Sequence, residues 1–386
     1  MRIALLTSFF PPDAQTGIAR YVEDLAFSLI AKGIDVTVIA AGSNTFKVEQ
    51  RGHLTIYWVT GLRRKKQNFL PSIGFLKVSF KMRNILKKLH NKKPFDIIEY
   101  PNTEFTGILS ILFGITLPRP HYIVRMASPM SVNPKKRFLP RVNGLLESWQ
   151  AKLSDGYISH SLANLKVCDK IYQLPKSKPR QVIPLGLPQE CFFAANHQPP
   201  CKKILILFLG HMERRKGFDV LASAWPIIAT ALPQTHLVVA GIDRPCEHGD
   251  SFFRWATRNM PPNALARMRY YGMVDSDLRD TLYNDAYICV VPSRYESFGL
   301  ILLEAMRYRL PTVSSNVGGI PEVITDGQTG VLVPPNDHIA LSNAIINLCQ
   351  DNHLYNRIKD SLEKEFTDRF TIDRVAEQTH QFYNSL

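Results

Sequence analysis

Two carboxylates, Glu296 and Glu304, flank a point where a strand gives way to a helix. The stretch 293–304 reads Ser-Arg-Tyr-Glu-Ser-Phe-Gly-Leu-Ile-Leu-Leu-Glu. Before it, residues 287–292 form a short apolar run with β-branched members, the pattern of a buried strand. After it, Leu300, Ile301, Leu303, Ala305 and Met306 recur at helical spacing. Phe298 and Gly299 therefore stand at a helix entrance. There the backbone N–H groups are free and the dipole is positive, a setting that holds phosphate. Gly299 has no Cβ and lets a ligand approach the backbone. At ~1.5 Å rise per residue, Glu304 lies roughly 8 Å beyond Gly299. The pair can thus meet the two ends of an elongated anionic ligand such as a nucleotide sugar, Glu296 at the sugar and Glu304 at the ribose. Taken singly, each reads more readily as an ordinary solvated glutamate, since charged residues mostly face water.

Further loops carry chemistry of the same kind. Residues 210–217 read Gly-His-Met-Glu-Arg-Arg-Lys-Gly, between an apolar strand pattern and a helix. Lys216 is placed there for a diphosphate oxygen; a basic loop in water is the alternative. Residues 316–322, Asn-Val-Gly-Gly-Ile-Pro-Glu, form either the floor of a donor pocket or a simple turn. Asp275-Ser-Asp277 has the spacing of a metal-binding pair, but it opens a helix, where Asp and Ser serve as caps. Cys246-Glu-His248 has too few good ligands for a metal site.

These loops need a scaffold that presents them together. Strand patterns fall at 2–7, 35–40, 54–60, 96–100, 121–126, 157–160 and 182–184. After a linker at 189–203, marked by Pro199-Pro200, they resume at 204–209, 236–240, 269–271, 287–291, 311–314 and 330–333. Helical patterns separate them, among them 18–31, 70–89 and 146–153. Such alternation predicts an α/β protein with two doubly wound parallel sheets and ligands at the carboxyl ends of the strands, in a cleft between domains. Gly17 follows the first strand, but no Gly-x-Gly-x-x-Gly fingerprint accompanies it.

A chain of 386 residues and 45% hydrophobic content fits two packed domains. Six cysteines without a Cys-x-x-Cys read as reduced thiols. The apolar start ends at Pro11-Pro12-Asp13 and reads as a strand, not a leader; the run 105–117 is too short to span a bilayer. Cytoplasmic placement is the expectation. Residues 1–190 carry 28 Lys and Arg against 12 Asp and Glu, and residues 191–386 carry 19 against 21. Between Arg51 and Lys93 there are twelve basic residues and no acidic one, beginning with the Arg63-Arg64-Lys65-Lys66 cluster. In 70–89, Phe75, Leu76, Val78, Phe80, Ile85, Leu86 and Leu89 interleave with lysines and Arg83. A helix of this kind lies on an anionic membrane or is a domain helix with a basic outer face. Few aromatics accompany the charges, and nucleic acid is not expected as a partner.

In order and spacing these segments resemble glycosyltransferase family 4, retaining enzymes of the GT-B fold with two Rossmann-like domains. Glu296 and Glu304 match its Glu-x7-Glu motif. Residues 292–299 match Pro-Ser-x-x-Glu-x-Phe-Gly, and residues 318–322 match Gly-Gly-x-Pro-Glu. The likeness covers nearly the whole chain and is strongest over 203–337. It implies an acceptor-side domain at 1–190, a donor domain at 201–369, and a final helix at about 370–386 that returns to the first domain. Lys216 would bind the donor diphosphate, helped by Arg215. Glu304 would hold the ribose and Glu296 the transferred sugar. Backbone N–H groups of Phe298, Gly299 and Leu300 would face phosphates and sugar, Val274 the base, and Gly17 the acceptor side. Glu296 and Lys216 would carry catalysis, with no metal and no cofactor beyond the nucleotide-diphosphate sugar, a UDP-sugar favoured over a GDP-sugar. The acceptor would be a glycan or lipid-linked precursor at the membrane face.

Two positions depart from the pattern: His211 stands where an Arg is usual, and Ala127 where many relatives have His. An imidazole is a weaker diphosphate clamp than a guanidinium, and Arg214 or Arg215 is the candidate to compensate. The alternative is a degenerate, non-catalytic module of the same fold that binds a nucleotide or glycan.

Overall fold

The computed structural model describes residues 1–13, 17–42, 45–61, 71–103, 105–129, 139–189, 204–246, 249 and 251–386, without the side chains of 71–73 and 139–143. The Arg63-Arg64-Lys65-Lys66 cluster, the linker beyond Gln189, and Glu247 and His248 lie outside the described residues. The chain divides into two units, Met1–Pro188 with Thr371–Leu386, and Gln189–Phe370.

The first unit is built on one sheet of eight strands: β1 (Arg2–Thr7), β2 (Asp35–Ala41), β3 (Lys47–Arg51), β4 (Leu54–Val59), β5 (Ile97–Pro101), β6 (His121–Met126), β7 (Gly156–Ser159) and β8 (Arg180–Val182). Their order is β3-β4-β2-β1-β5-β6-β7-β8. All pairs are parallel except β3 with β4. A sheet covered by helices on both faces needs strands that are apolar throughout, and β1 is buried from Ile3 to Thr7. On one face Tyr100, Tyr122 and Val124 pack with Val78, Met82 and Leu86 of the helix Pro71–Lys92. That helix is amphipathic as its spacing predicts, but Phe80, read as part of the apolar stripe, is 55% exposed beside its lysines.

Two sequence expectations need correction. The 47–51 segment is a strand that the pattern did not reveal, and it makes the first sheet mixed rather than wholly parallel. The last strand of this unit lies at Arg180–Val182, not 182–184. Pro184 has no N–H to donate, so pairing fails there, although Ile183 still donates to the carbonyl of Ser159.

Two helices, Gly17–Ala31 and Ile372–Asn384, belong to this unit and bond to each other: Ser28 donates to Asp373 at 2.6 Å and Lys32 to Glu377 at 2.9 Å. Beneath them lies a buried ion pair. Arg125 on β6 makes a bidentate contact to Glu99 on β5, at 2.6 and 2.9 Å, and Tyr383 donates to the same carboxylate at 2.5 Å. A buried charge is tolerated only when paired and fully hydrogen-bonded. The C-terminal helix supplies part of that satisfaction, which gives it a fixed seat.

His160 is buried beside this cluster, its ring edge-on to Tyr21. Burial, reinforced by the Arg125 guanidinium, pushes its pKa down to about 3. The folded protein therefore keeps it neutral while an unfolded chain protonates it below ~6.5. Stability from this residue is fully present above that pH and is lost as pH falls toward about 3, by up to ~1.4 kcal/mol per pH unit. Thermal unfolding from pH 7 to 4 is expected to show a shallower decline in His160→Asn than in the parent. Parallel curves would show that the ring is already charged in the folded state.

The second unit holds a six-stranded parallel sheet: β9 (Ile204–Leu209), β10 (Thr235–Ala240), β11 (Met268–Tyr270), β12 (Ile288–Val291), β13 (Thr312–Ser315) and β14 (Val331–Val333). The order is β11-β10-β9-β12-β13-β14. The chain runs outward one way from β9 and the other way from β12, so β9 and β12 are neighbours at a topological switch point. The loops that leave such a pair diverge and open a crevice at the carboxyl ends of the strands. Those loops are 210–217 and 292–299.

Candidate functional site

The loop after β9 closes in a short turn, Arg214–Lys216, capped by Gly217 with φ 71°. A Cβ at Gly217 would lie 1.8 Å from the carbonyl oxygen of Pro292, so only glycine lets this loop pass the one after β12. Lys216 thereby reaches the second loop. Its Nζ donates to Glu296 Oε1 at 2.5 Å, and the Ser293 hydroxyl donates to the same oxygen at 3.0 Å. Arg215 Nη1 stands 3.8 Å from Glu296 Oε2, while its guanidinium holds Glu213 at 2.8 and 3.1 Å.

Glu296 is not a solvated loop residue: it is only 7% exposed. Its backbone is gripped too. Gly319 N–H donates to the Glu296 carbonyl at 3.0 Å, and a Cβ at Gly318 would lie 2.0 Å from that oxygen. The Gly-Gly segment thus holds the peptide of Glu296 from below. The carboxylate end is fixed by Lys216 and Ser293, which come from two different loops.

The helix Leu300–Arg307 starts at Gly299, whose φ of 100° suits glycine. The N–H groups of Phe298, Gly299 and Leu300 have no partner among the described residues. The Phe298 side chain is core, packed edge-on against Phe370, so only its backbone is offered to a ligand. Glu304 lies one and a half turns on, half-buried rather than on a solvated face. Tyr283, from the helix Ser276–Asp285, donates to its Oε2 at 2.8 Å, and Arg279 Nη1 stands 3.6 Å from Oε1. Burial and the nearby Glu304 charge keep the Tyr283 phenol protonated, with a pKa well above its ordinary value. The ring stacks on Tyr308 with centroids 5.0 Å apart. One oxygen of Glu304 is thus anchored from below.

His211 follows Gly210 at the end of β9. It is half-buried, and its Nδ1 has no hydrogen-bond partner among the described residues. Burial and then Arg244 lower its pKa below the ordinary histidine value, so the ring is neutral at pH 7. It offers a hydrogen bond and not a charge. Of the two arginines expected to compensate, Arg214 is exposed and Arg215 is held by Glu213. Val274 is half-buried in the loop after β11, and Asp275 beyond it accepts from Leu278 N–H at 2.9 Å as a helix cap. Gly17 belongs to the first unit, at the start of its helix. Within the second unit, then, Lys216, Arg215 and Glu296 come together. Ser293, Tyr283 and Arg279 were missed by sequence reasoning. Ser293 lay within the motif but with no stated role, and the other two reach Glu304 from a separate helix with no local signal.

Comparisons with known proteins give the family and the fold. The family model described as "Glycosyl transferases group 1" matches residues 192–365, and "Glycosyltransferase Family 4" matches residues 15–190. The chain is 26% identical to the glycogen synthase of Mycobacterium tuberculosis, over 99% of this chain and 94% of that protein. Among solved structures, the sucrose-phosphate synthase of Thermosynechococcus elongatus superposes with a TM-score of 0.81 at 23% identity, covering 100% of this chain and 98% of that one. Anabaena HepE in complex with UDP-glucose gives 0.74 at 16% identity, covering 100% of both.

Proposed function

Since this chain belongs to glycosyltransferase family 4 and has the GT-B fold, we propose that it is a retaining, metal-independent transferase that moves a sugar from a UDP-sugar to an acceptor hydroxyl. The observation that carries this reading is the Lys216–Glu296 pair at the switch point of the second sheet. It sets a cation and a carboxylate side by side next to the unpaired N–H groups that open the Leu300–Arg307 helix. The likeness to HepE, solved with UDP-glucose, supports a uridine donor.

The residues divide the donor among them. Lys216 takes the diphosphate, helped by Arg215 and the backbone of Phe298, Gly299 and Leu300. His211 adds a neutral hydrogen bond. Glu304 accepts from the ribose, and Val274 borders the base. Glu296 contacts the sugar. As the glycosidic bond breaks, negative charge grows on the diphosphate and positive character on the sugar ring. Lys216 and Glu296 stabilise these in turn, at no reorganisation cost because their positions are already fixed. The departing phosphate takes the acceptor proton, so the reaction asks for orientation rather than a separate base. Gly17 is assigned to the acceptor side.

The acceptor is proposed to be a glycan or lipid-linked precursor at the cytoplasmic face of a membrane. No described helix is long and apolar enough to cross one. The supporting feature is the outer face of the Pro71–Lys92 helix, along which Lys77, Lys81, Lys87, Lys88 and Lys92 are exposed together with Phe80. Phe113 is 70% exposed next to it, with Arg83 over its ring.

The test is turnover of UDP-, ADP- and GDP-sugars by the purified protein, followed by NMR of the product anomer, with and without vesicles containing phosphatidylglycerol. Transfer with retained configuration from one donor family, and salt-sensitive vesicle binding, are expected. Inversion would contradict the retaining assignment. Neither transfer nor hydrolysis of any donor would support the non-catalytic alternative.

A further inference from the structure

Lys216 and Glu296 sit on loops far apart in sequence, yet they meet at hydrogen-bond distance. Something must fix one loop against the other. Arg215 Nη1 reaches the Tyr295 carbonyl at 3.3 Å, and Arg294 makes the larger set of contacts to both. Its backbone N–H donates to the Arg215 carbonyl at 2.8 Å. Its guanidinium donates to the Arg214 carbonyl at 2.5 Å and grips Asp219, in the first turn of the next helix, with two bonds of 2.7 Å. Its Nε donates to Asn336, which lies beyond β14 in a left-handed conformation with φ 64°. One side chain thus ties together the loops that follow β9, β12 and β14.

We infer that Arg294 is a positioning residue that holds the Lys216 turn in register with the Glu296 loop for the transfer step. This rests on the donor-site reading above and adds a residue to it. None of the contacts of Arg294 is to Lys216 Nζ or the Glu296 carboxylate, so its role is exercised through them. The planar fork matters. It makes two parallel bonds to a carboxylate while a third and a fourth donor reach a carbonyl and an amide, which a lysine ammonium on a flexible stem cannot reproduce. Small displacements at a reacting centre are costly, with ~100-fold in rate for about 1 Å.

The test is a double-mutant cycle between Arg294→Lys and Lys216→Ala. The donor is whichever of UDP-glucose, ADP-glucose and GDP-mannose turns over fastest, and binding is read with its nucleoside diphosphate. Arg294→Lys is expected to lower kcat ~10- to 100-fold and to weaken diphosphate binding by no more than Lys216→Ala does. The double mutant should be no slower than Lys216→Ala, because a residue acting through Lys216 has nothing left to position. An unchanged kcat, or a double mutant slower by the product of the two single effects, would overturn the inference. Should Arg294→Lys unfold at the assay temperature, Asn336→Ala removes only one of the bonds and takes its place in the cycle, with the same two outcomes. Should Lys216→Ala turn over at the parent rate, the donor-site reading itself fails. A slow Lys216→Ala with additive effects sinks only the positioning role.

Discussion

Glu296→Gln is expected to lower kcat by ~100- to 1,000-fold, the range seen when one fixed electrostatic partner of a transition state is removed, while nucleotide diphosphate affinity falls little or rises. Gln keeps the shape and the bond from Ser293, which lies 3.0 Å from Oε1 in the parent. What it loses is the charge. In the transferring complex that charge faces a sugar ring gaining positive character, so the loss appears in kcat. In the binary complex with a diphosphate it is a like charge beside the phosphates, held at bay by Lys216 at 2.5 Å and Arg215 at 3.8 Å. Removing it frees Lys216 for the phosphate. Steady-state kinetics and calorimetry of diphosphate binding separate the two effects. A variant with full kcat would show that this carboxylate is outside the reaction.

Lys216→Ala is expected to lose affinity as well as rate. A hydrogen bond to a charged partner contributes ~1.5–3 kcal/mol, so diphosphate binding should weaken by ~10- to 100-fold. The substitution also strands Glu296, whose side chain is 9% exposed, with its nearest remaining cation 3.8 Å away. Leaving a buried carboxylate with only the Ser293 hydroxyl as a close donor costs about 1–3 kcal/mol, which is a drop of a few degrees in unfolding temperature for a protein of this size. Adding Glu296→Gln to Lys216→Ala should restore most of the stability and none of the activity. Thermal melts of the single and double variants check this. A double variant as unstable as the single one would show that the lysine stabilises by its packing and not by its charge.

Much of this scaffold is legible in the sequence. The parallel strands announce themselves because both faces are covered, which forces runs such as those at β9 and β12, and the Ile3 to Leu6 centre of β1, to be apolar. The strand Lys47–Arg51 was not legible, since its residues are those of a solvated loop. It is held by side chains that pattern cannot pair. Glu49 accepts from Arg51 on its own strand at 2.6 Å and, across the antiparallel edge, from Trp58 on β4 at 2.9 Å. The motif spacing pointed to Glu296, Glu304 and Lys216 as a set. It did not show that Glu296 is buried, because that burial comes from Gly318, Gly319 and Lys216, which arrive from other loops. Tyr283 and Arg279 were hidden for the same reason: helix Ser276–Asp285 gives no sign that one of its faces closes on Glu304.

The claim beneath all of this is that the second unit binds a nucleoside diphosphate along the line from Lys216 to Glu304. Thermal shifts with UDP, GDP and ADP, and with their common sugar conjugates, on the parent and on Glu304→Ala, test it most directly. Ligand at 100 times its Kd adds ~2.7 kcal/mol to stability, a rise of several degrees for a domain of this size. The account predicts such a rise with uridine nucleotides in the parent and its loss, or near loss, in Glu304→Ala. No shift with any nucleotide, or an equal shift in both proteins, would contradict it.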